Sequence, residues 1–216
     1  MSKSQQKIIG LSAALLLVIV ITLTVGITIY GIYTEQNDGT ASRFVAKALA
    51  LPAASVEGRK VAYTRFLLTR DAVKRFINSE AGQDVGAAMP PEDQLNQNIL
   101  EQLIRQQMVA AIAAQKQVTL SDEEVDEVFN EVASQAASST QSDIDTYLRD
   151  NYGWNQDNFR EYVLRPALLE QKLAQQLSTG SNPVALENLL ITKRQSEDVV
   201  VYLKFSDDSQ STAPSE

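Results

Sequence analysis

The densest group of side chains that could do chemistry is an acidic run near the middle of the chain. It consists of Asp122, Glu123, Glu124, Asp126 and Glu127. Carboxylates spaced this closely can bind a divalent cation or act as general acid and base. They also stabilise the first turn of a helix, where the helix dipole favours negative charge, and no calcium-loop spacing accompanies them. The sequence therefore favours a structural role for this run.

Chemistry elsewhere in the chain is limited by two missing residue types. The 216 residues include no histidine and no cysteine. Imidazole bases, Ser-His-Asp and Cys-His relays, the usual zinc enzyme sites, disulfides and iron–sulfur clusters are therefore excluded. No glycine-rich phosphate loop is present. We predict no catalytic residue, no metal and no cofactor.

The charge balance bears on the class of partner. The net charge is −8, from 27 acidic and 19 basic residues. Proteins that bind nucleic acids use basic surfaces to displace counterions from the phosphate backbone. The acidic balance therefore argues against a nucleic-acid partner.

An apolar segment without charged residues occupies residues 8–33. About 20 apolar residues cross the hydrocarbon layer of a bilayer, so the segment predicts one transmembrane helix. Lys3 and Lys7 precede the segment and Glu35 follows it, which places residues 1–7 in the cytoplasm. Subtracting the two lysines from −8 leaves a charge of −10 for the part that would lie outside the cytoplasm.

A cleaved signal peptide is the alternative interpretation of this segment. Signal peptides have an apolar core of about 7 to 15 residues and small residues at the cleavage site. The segment here is longer and ends with the bulky residues Tyr30, Ile32 and Tyr33. These features favour an anchor that is retained.

The remaining chain divides into three parts. Residues 34–52 predict a polar stalk, with two helical turns at residues 43–49 before a proline. Residues 53–205 predict one helical domain. Residues 206–216 are polar and predict a disordered tail.

Apolar residues recur at helical spacing through the first half of this domain. One such helix begins near Tyr63, and we expect Gly82 to end it. The next begins at Pro91 or Glu92, because proline is favoured at the first helical position. This second helix carries an apolar face that predicts burial in the core.

The clearest helix start in the sequence surrounds Ser121. Its hydroxyl can accept from the Glu124 amide, while the Glu124 carboxylate accepts from the Ser121 amide. Leu120 and Val125 supply the accompanying hydrophobic staple. The helix predicted from this capping box ends at the serine-rich residues 138–140.

Three further helices are predicted towards the C-terminus. A short one ends near Gly153, and Asn155 then caps the last long helix, which Gly180 closes. Pro166 lies inside this long helix and predicts a kink or a junction between two helices. A short helix follows Pro183.

Two segments have the composition of β-strands. Residues 55–61 predict a short strand with a turn at Gly58, and residues 199–205 are rich in valine and aromatic residues. A lone strand needs a partner, so we expect the two to pair. The predicted fold class is mainly α: a transmembrane helix and a helical domain closed by a small two-stranded β-sheet.

This order of elements resembles the N-terminal chaperone domain of the SurA, PrsA and trigger-factor-like group, in its membrane-anchored form. The Tyr152-Gly153-Trp154 turn and the helix after it are the most distinctive part of the resemblance, and Glu57 departs from the asparagine usual in the opening strand. The resemblance covers residues 52 to about 180. The stretches that carry it are residues 52–61, 98–104, 118–125, 152–154 and 163–173.

The resemblance implies an ATP-independent chaperone that binds unfolded or newly secreted polypeptides. Many members also carry a parvulin peptidyl-prolyl isomerase domain, for which the connector after Gly180 is far too short. We therefore expect a membrane-anchored extracytoplasmic holdase without isomerase activity, nucleotide or nucleic acid. The alternative is an envelope scaffold or assembly protein whose helical domain binds one specific partner.

A few side chains could contact such polypeptides. Trp154 and Tyr152 could stack on a ligand, but a lone indole beside a glycine turn more often anchors packing. Met108 fits a core stripe, whereas Met89 lies in a loop and favours exposure. We predict no individual client-binding residue.

Overall fold

The computed structural model describes residues 20–140, 143–178, 185–196 and 198–205. Residues 8–19 of the predicted transmembrane helix, Gly180 and the predicted tail lie outside the described residues. Of the helices within the described ranges, none has the length and apolar character needed to cross a bilayer. The transmembrane segment stays a prediction from the sequence.

The chain forms two compact units, the first of which ends at Leu51 and also includes residues 202–205. It contains helix α1, residues 20–35, and helix α2, Thr40–Ala48. The helix predicted at residues 43–49 is confirmed, and it begins earlier. Ala46 on α2 is buried, so part of the predicted stalk has a packed face.

The second unit, Pro52–Val201, is tied together by a three-stranded antiparallel sheet. Its strands are β1 (Pro52–Val56), β2 (Arg59–Ala62) and β3 (Val199–Val201), in the order β2-β1-β3. The prediction of a two-stranded sheet is therefore wrong by one strand. Glu57 and Gly58 both have positive φ, 50° and 73°, and a two-residue turn of this kind folds the predicted first strand into a hairpin.

The predicted pairing of the first and last strands is confirmed. β1 and β3 run antiparallel, with Ser55 opposite Val200 and Val56 opposite Val199. The last strand is shorter than predicted, because it ends at Val201. The sheet thus joins the two ends of the helical unit.

The helices of this unit fill the chain between β2 and β3. In chain order they are α3 (Tyr63–Asn78), α4 (Glu80–Asp84), α5 (Glu92–Gln115), α6 (Asp122–Thr140), α7 (Ile144–Tyr152), α8 (Gln156–Phe159), a π-helical turn (Arg160–Leu164), α9 (Arg165–Ser178) and α10 (Ala185–Arg194).

One predicted helix end is wrong, and another lies within its predicted range. The helix from Tyr63 ends at Asn78, because Ser79 caps α4 by accepting the Gly82 amide at 3.2 Å. Gly82 lies inside α4, where an added Cβ would be 2.0 Å from the Phe76 carbonyl oxygen. α6 continues through residues 138 and 139 and ends at Thr140, within the predicted serine-rich break.

The local start and stop signals around α6 and α7 are confirmed. The Ser121 amide donates to Glu124 Oε2 at 2.8 Å, and the Glu124 amide donates to Ser121 Oγ at 3.3 Å. Gly153 ends α7 with φ 70°, and Asn155 caps α8. The helix predicted at Pro91 or Glu92 begins at Glu92.

The interruption predicted at Pro166 takes the form of a π-helical turn immediately before α9. Proline has no N–H for the carbonyl four residues earlier, that of Tyr162, and its ring crowds that oxygen. Arg65 Nη2 from α3 donates to the Tyr162 oxygen at 3.2 Å and also to Gln106 Oε1 on α5 at 3.2 Å. Its guanidinium lies 3.7 Å from the centroid of the Tyr162 ring, and burial lowers the pKa of Arg65. One arginine therefore connects the π-helical turn to α3 and α5.

The core of the second unit lies between α3 and α5, where Tyr63, Phe66, Leu100 and Ile104 are fully buried. A further apolar cluster joins α6 to the π-helical turn. Its buried members are Val125, Phe129 and Leu164.

Candidate functional site

An open groove runs between α5 and α10, with a volume of about 420 Å³. Met108 and Leu190 are buried in its lining, while Ile191 remains 49% exposed. Leu190 and Ile191 share a face of α10 with Glu187 and Arg194, because residues three, four and seven apart lie on one side of a helix. Helical spacing therefore places two apolar side chains between two charged ones on the groove side of α10, and solvent reaches Ile191.

Ion pairs between α5 and its neighbours border this groove. Arg105 Nη2 lies 3.0 Å from Glu187 Oε2 and 2.8 Å from Glu170 Oε1. Arg194 Nη2 lies 2.7 Å from Glu101 Oε1. Hydrogen bonds to Glu187 and then Glu170 raise the pKa of Arg105, and the bond to Glu101 raises that of Arg194. The charges at the border are paired with one another, so the groove suits apolar side chains better than a charged ligand.

Glu57 fixes α10 to the β1–β2 turn. It accepts hydrogen bonds from Lys193 of α10 and from Gln115 of α5, and the Lys193 bond is the largest cause lowering its pKa. Glu57 stands where the SurA, PrsA and trigger-factor-like group usually has asparagine, and these contacts give it a structural role. The turn, α5 and α10 thus hold one another in place around the groove.

Three carboxylates of the acidic run at the start of α6 form ion pairs with the π-helical turn and with α9. Asp122 pairs with Arg165 at 2.5 Å, and Asp126 pairs with Arg160 at 2.9 Å. Glu124 pairs with Lys172 at 2.5 Å in addition to its place in the capping box. These contacts support the structural interpretation. Within the ranges that the structure describes, no cluster of acidic side chains could hold a metal ion.

The sequence of the chain matches a known protein family. The sequence pattern of the SurA-like N-terminal domain matches residues 1–179. The chain belongs to this family. No curated protein and no solved structure matches the chain. The resemblance over residues 52 to about 180 is confirmed, and the match to the SurA-like domain also covers the apolar segment 8–33.

Aromatic residues around the turn at Gly153 form a packed row in the SurA-like domain. Tyr152 stacks on Phe76 with ring centroids 5.1 Å apart, and Trp154 lies 5.9 Å from Tyr152. Trp154 is buried, which supports its predicted role as an anchor of the packing. Burial, and then the neighbouring Tyr147, raises the pKa of Tyr152 to about 12. This row positions helices around the turn at Gly153.

Met89 and Met108 differ as the sequence indicated. Met89 is exposed in its loop, whereas Met108 is buried on α5 and lines the groove. Met108 therefore belongs to the core and to the groove wall at once.

The groove itself was missed by sequence reasoning. The signal available was the run Leu189, Leu190 and Ile191, because three consecutive apolar residues cannot all face one side of a helix. Leu190 turns into the core, while Leu189 and Ile191 remain exposed.

Proposed function

We propose that this chain is a membrane-anchored, extracytoplasmic, ATP-independent chaperone that holds unfolded or newly secreted polypeptides. The SurA-like N-terminal domain indicates a chaperone-type family. The observation that carries the proposal is the solvent-accessible apolar groove between α5 and α10 in this domain.

The dimensions of the groove suit weak and general binding. Its volume of about 420 Å³ is near the lower end, roughly 300 Å³, of pockets that bind small ligands. It can therefore accept a few apolar side chains of an extended chain without enclosing them. Its border of paired charges adds no strong attraction of either sign. Contacts of this kind favour many sequences over one specific sequence.

The anchor is supported by the sequence alone. Residues 8–33 carry no charged side chain. In the part of this segment that the structure describes, Leu23, Ile27 and Tyr30 are exposed apolar side chains that lipid could cover. We expect the chain to stay with the membrane after an alkaline carbonate wash. Release by the wash would contradict the anchor.

The proposal contains no chemical step. The chain has no histidine or cysteine, and no parvulin domain fits between the matched region and α10. Holding a polypeptide requires neither nucleotide nor cofactor. Isomerisation of a proline peptide by the purified chain would contradict this part of the proposal.

Suppression of aggregation tests the holdase directly. We expect the full chain in detergent micelles to suppress aggregation of several unrelated unfolded proteins without ATP. Ile191→Glu places a charge in the groove, so it should weaken binding of a permanently unfolded polypeptide at least about tenfold. Leu189→Glu is the matched control, because Leu189 is also exposed on α10 but does not line the groove.

Two results would contradict the proposal. Equal binding of the unfolded polypeptide by both variants would show that the groove is not the binding site. No suppression at all, together with one tight co-purifying partner, would favour the scaffold alternative.

A further inference from the structure

The register of the sheet shows which backbone groups of β3 point away from β1. The Glu57 amide donates to the Asp198 oxygen at 2.9 Å, so residues 57 and 198 form a hydrogen-bonded pair. Such pairs alternate along an antiparallel ladder, and Ser55 with Val200 is therefore the next one. Val199 and Val201 consequently direct their backbone groups to the other side. The Val199 amide donates to the Ser196 oxygen at 3.3 Å, consistent with this direction.

The two edges of the sheet differ in their protection. β2 forms one edge and carries the exposed charges Arg59 and Lys60. β3 forms the other edge and consists of three valines, of which Val200 is 42% and Val201 is 37% exposed. Charged side chains discourage pairing with another strand, whereas an exposed apolar edge invites it. The β3 edge thus lacks the charged side chains that protect the β2 edge.

We propose that the β3 edge binds an extended segment of an unfolded polypeptide as a fourth strand. This inference rests on the proposed holdase function and adds a second mode of binding to the groove. Every unfolded chain carries backbone N–H and C=O groups, so pairing with the Val201 amide and carbonyl recognises a chain without reading its sequence. The exposed valines on the two faces then favour β-branched and apolar side chains.

Other occupants fit this edge less well. Residues 206–216 are polar and include Pro214, a composition that disfavours a strand. A second copy would pair through three residues of β3, far below the roughly 1,000 Å² that a stable interface needs. A short edge gives weak and reversible pairing, which suits a chaperone that must release its client.

Hydrogen exchange and a peptide probe test the inference on the full chain in detergent micelles. The probe is a labelled peptide of about ten alternating valine and threonine residues with lysine at its ends. Without peptide, the Val201 amide should exchange fast and the Val200 amide slowly. Adding the peptide should slow exchange at Val201 at least about tenfold. The same peptide with methylated backbone nitrogens should give no protection, because its methyl groups clash with the neighbouring strand and remove every N–H donor of the ladder.

A matched pair of variants tests the protein side. Val201→Pro removes only an outward amide, so β3 should still pair with β1 and Val200 should remain protected. It should bind the peptide at least about tenfold more weakly than Val201→Thr, which keeps both the amide and the β-branched shape.

The possible failures are distinguishable. If unfolded proteins are held but Val201 gains no protection and both variants bind alike, the inference is overturned and the holdase stands. If neither unfolded proteins nor the peptide bind, both are overturned. Concentration-dependent dimers that Val201→Pro dissociates would assign the edge to a second copy. Faster exchange at Val201 after deletion of residues 206–216 would assign it to the tail. Either result would contradict the inference.

Discussion

On two sides of the helical unit, ion pairs join neighbouring helices. The two sides differ in how the apolar side chains beside those ion pairs are packed. Arg160, Arg165 and Lys172 pair with the start of α6, while Arg105 and Arg194 pair across α5 and α10. Beneath the first set lies the buried apolar cluster of α6 and the π-helical turn. Beneath the second lies the groove with an exposed isoleucine. A pattern of charges therefore does not separate a structural face from the proposed binding face, whereas the packing of the side chains beneath the charges does.

The largest expected difference between the two sides is in stability. Phe129→Ala creates a cavity in the buried apolar cluster. The Phe129 side chain is 3% exposed, and its ring centroid lies 3.6 Å from the Arg160 guanidinium carbon. It should lower the free energy of unfolding by about 3–5 kcal/mol in urea titrations. Ile191→Ala on the groove side should lower it by less than about 1 kcal/mol, because that side chain is half exposed. Similar costs for the two variants would remove the distinction.

A smaller effect is expected at the π-helical turn, which contributes Leu164 to the buried apolar cluster. Arg65→Met leaves the Tyr162 oxygen without the guanidinium donor, which should cost about 1–3 kcal/mol in urea unfolding. Pro166→Ala restores an N–H for that oxygen, so the cost of Arg65→Met should shrink by about 1 kcal/mol in this background. A double-mutant cycle measures the change. Costs that add without coupling would show that Arg65 does not compensate for Pro166.

The smallest expected effect is a pH dependence at the start of α6. Bonds from Lys172, and then the Ser121 amide, hold the pKa of Glu124 below its usual range. A depressed folded pKa stabilises the fold above the unfolded pKa of about 4.3, and that contribution is lost as the pH falls through the folded value. Glu124→Gln keeps a hydrogen-bonding side chain but not the charge, so its thermal midpoint should be slightly lower than wild type near neutral pH. The difference should vanish in acid. Glu123→Gln, exposed on the same turn, should lower the midpoint less, because it removes only an interaction with the helix dipole and no ion pair with Lys172.

Features fixed by neighbours in sequence could be predicted, and features fixed by distant contacts could not. The Ser121 capping box, the glycine stop at Gly153 and the interruption at Pro166 depend on a few adjacent residues, and each is present. The end of α3 was misplaced because Gly82 is required by contact with the Phe76 carbonyl, not by a helix stop.

The groove lies beyond local prediction for the same reason. The spacing of Leu186, Leu189 and Leu190 indicates a helix. Only the packing against α5 decides that Leu190 is buried and Ile191 stays exposed. The hairpin at Gly58 was a nearer miss, because a turn was expected there and only the second strand was overlooked. β3, the strand on the other side of β1, was predicted from its composition alone, and this prediction is confirmed.

Site-specific photo-crosslinking tests most directly whether the groove side holds unfolded polypeptides. A photoreactive phenylalanine would replace Ile191 in the groove or Glu123 on α6, each in the full chain mixed with a permanently unfolded polypeptide. The account predicts crosslinked product from position 191 and little from position 123. Equal crosslinking at both positions, or crosslinking at position 123 alone, would contradict it.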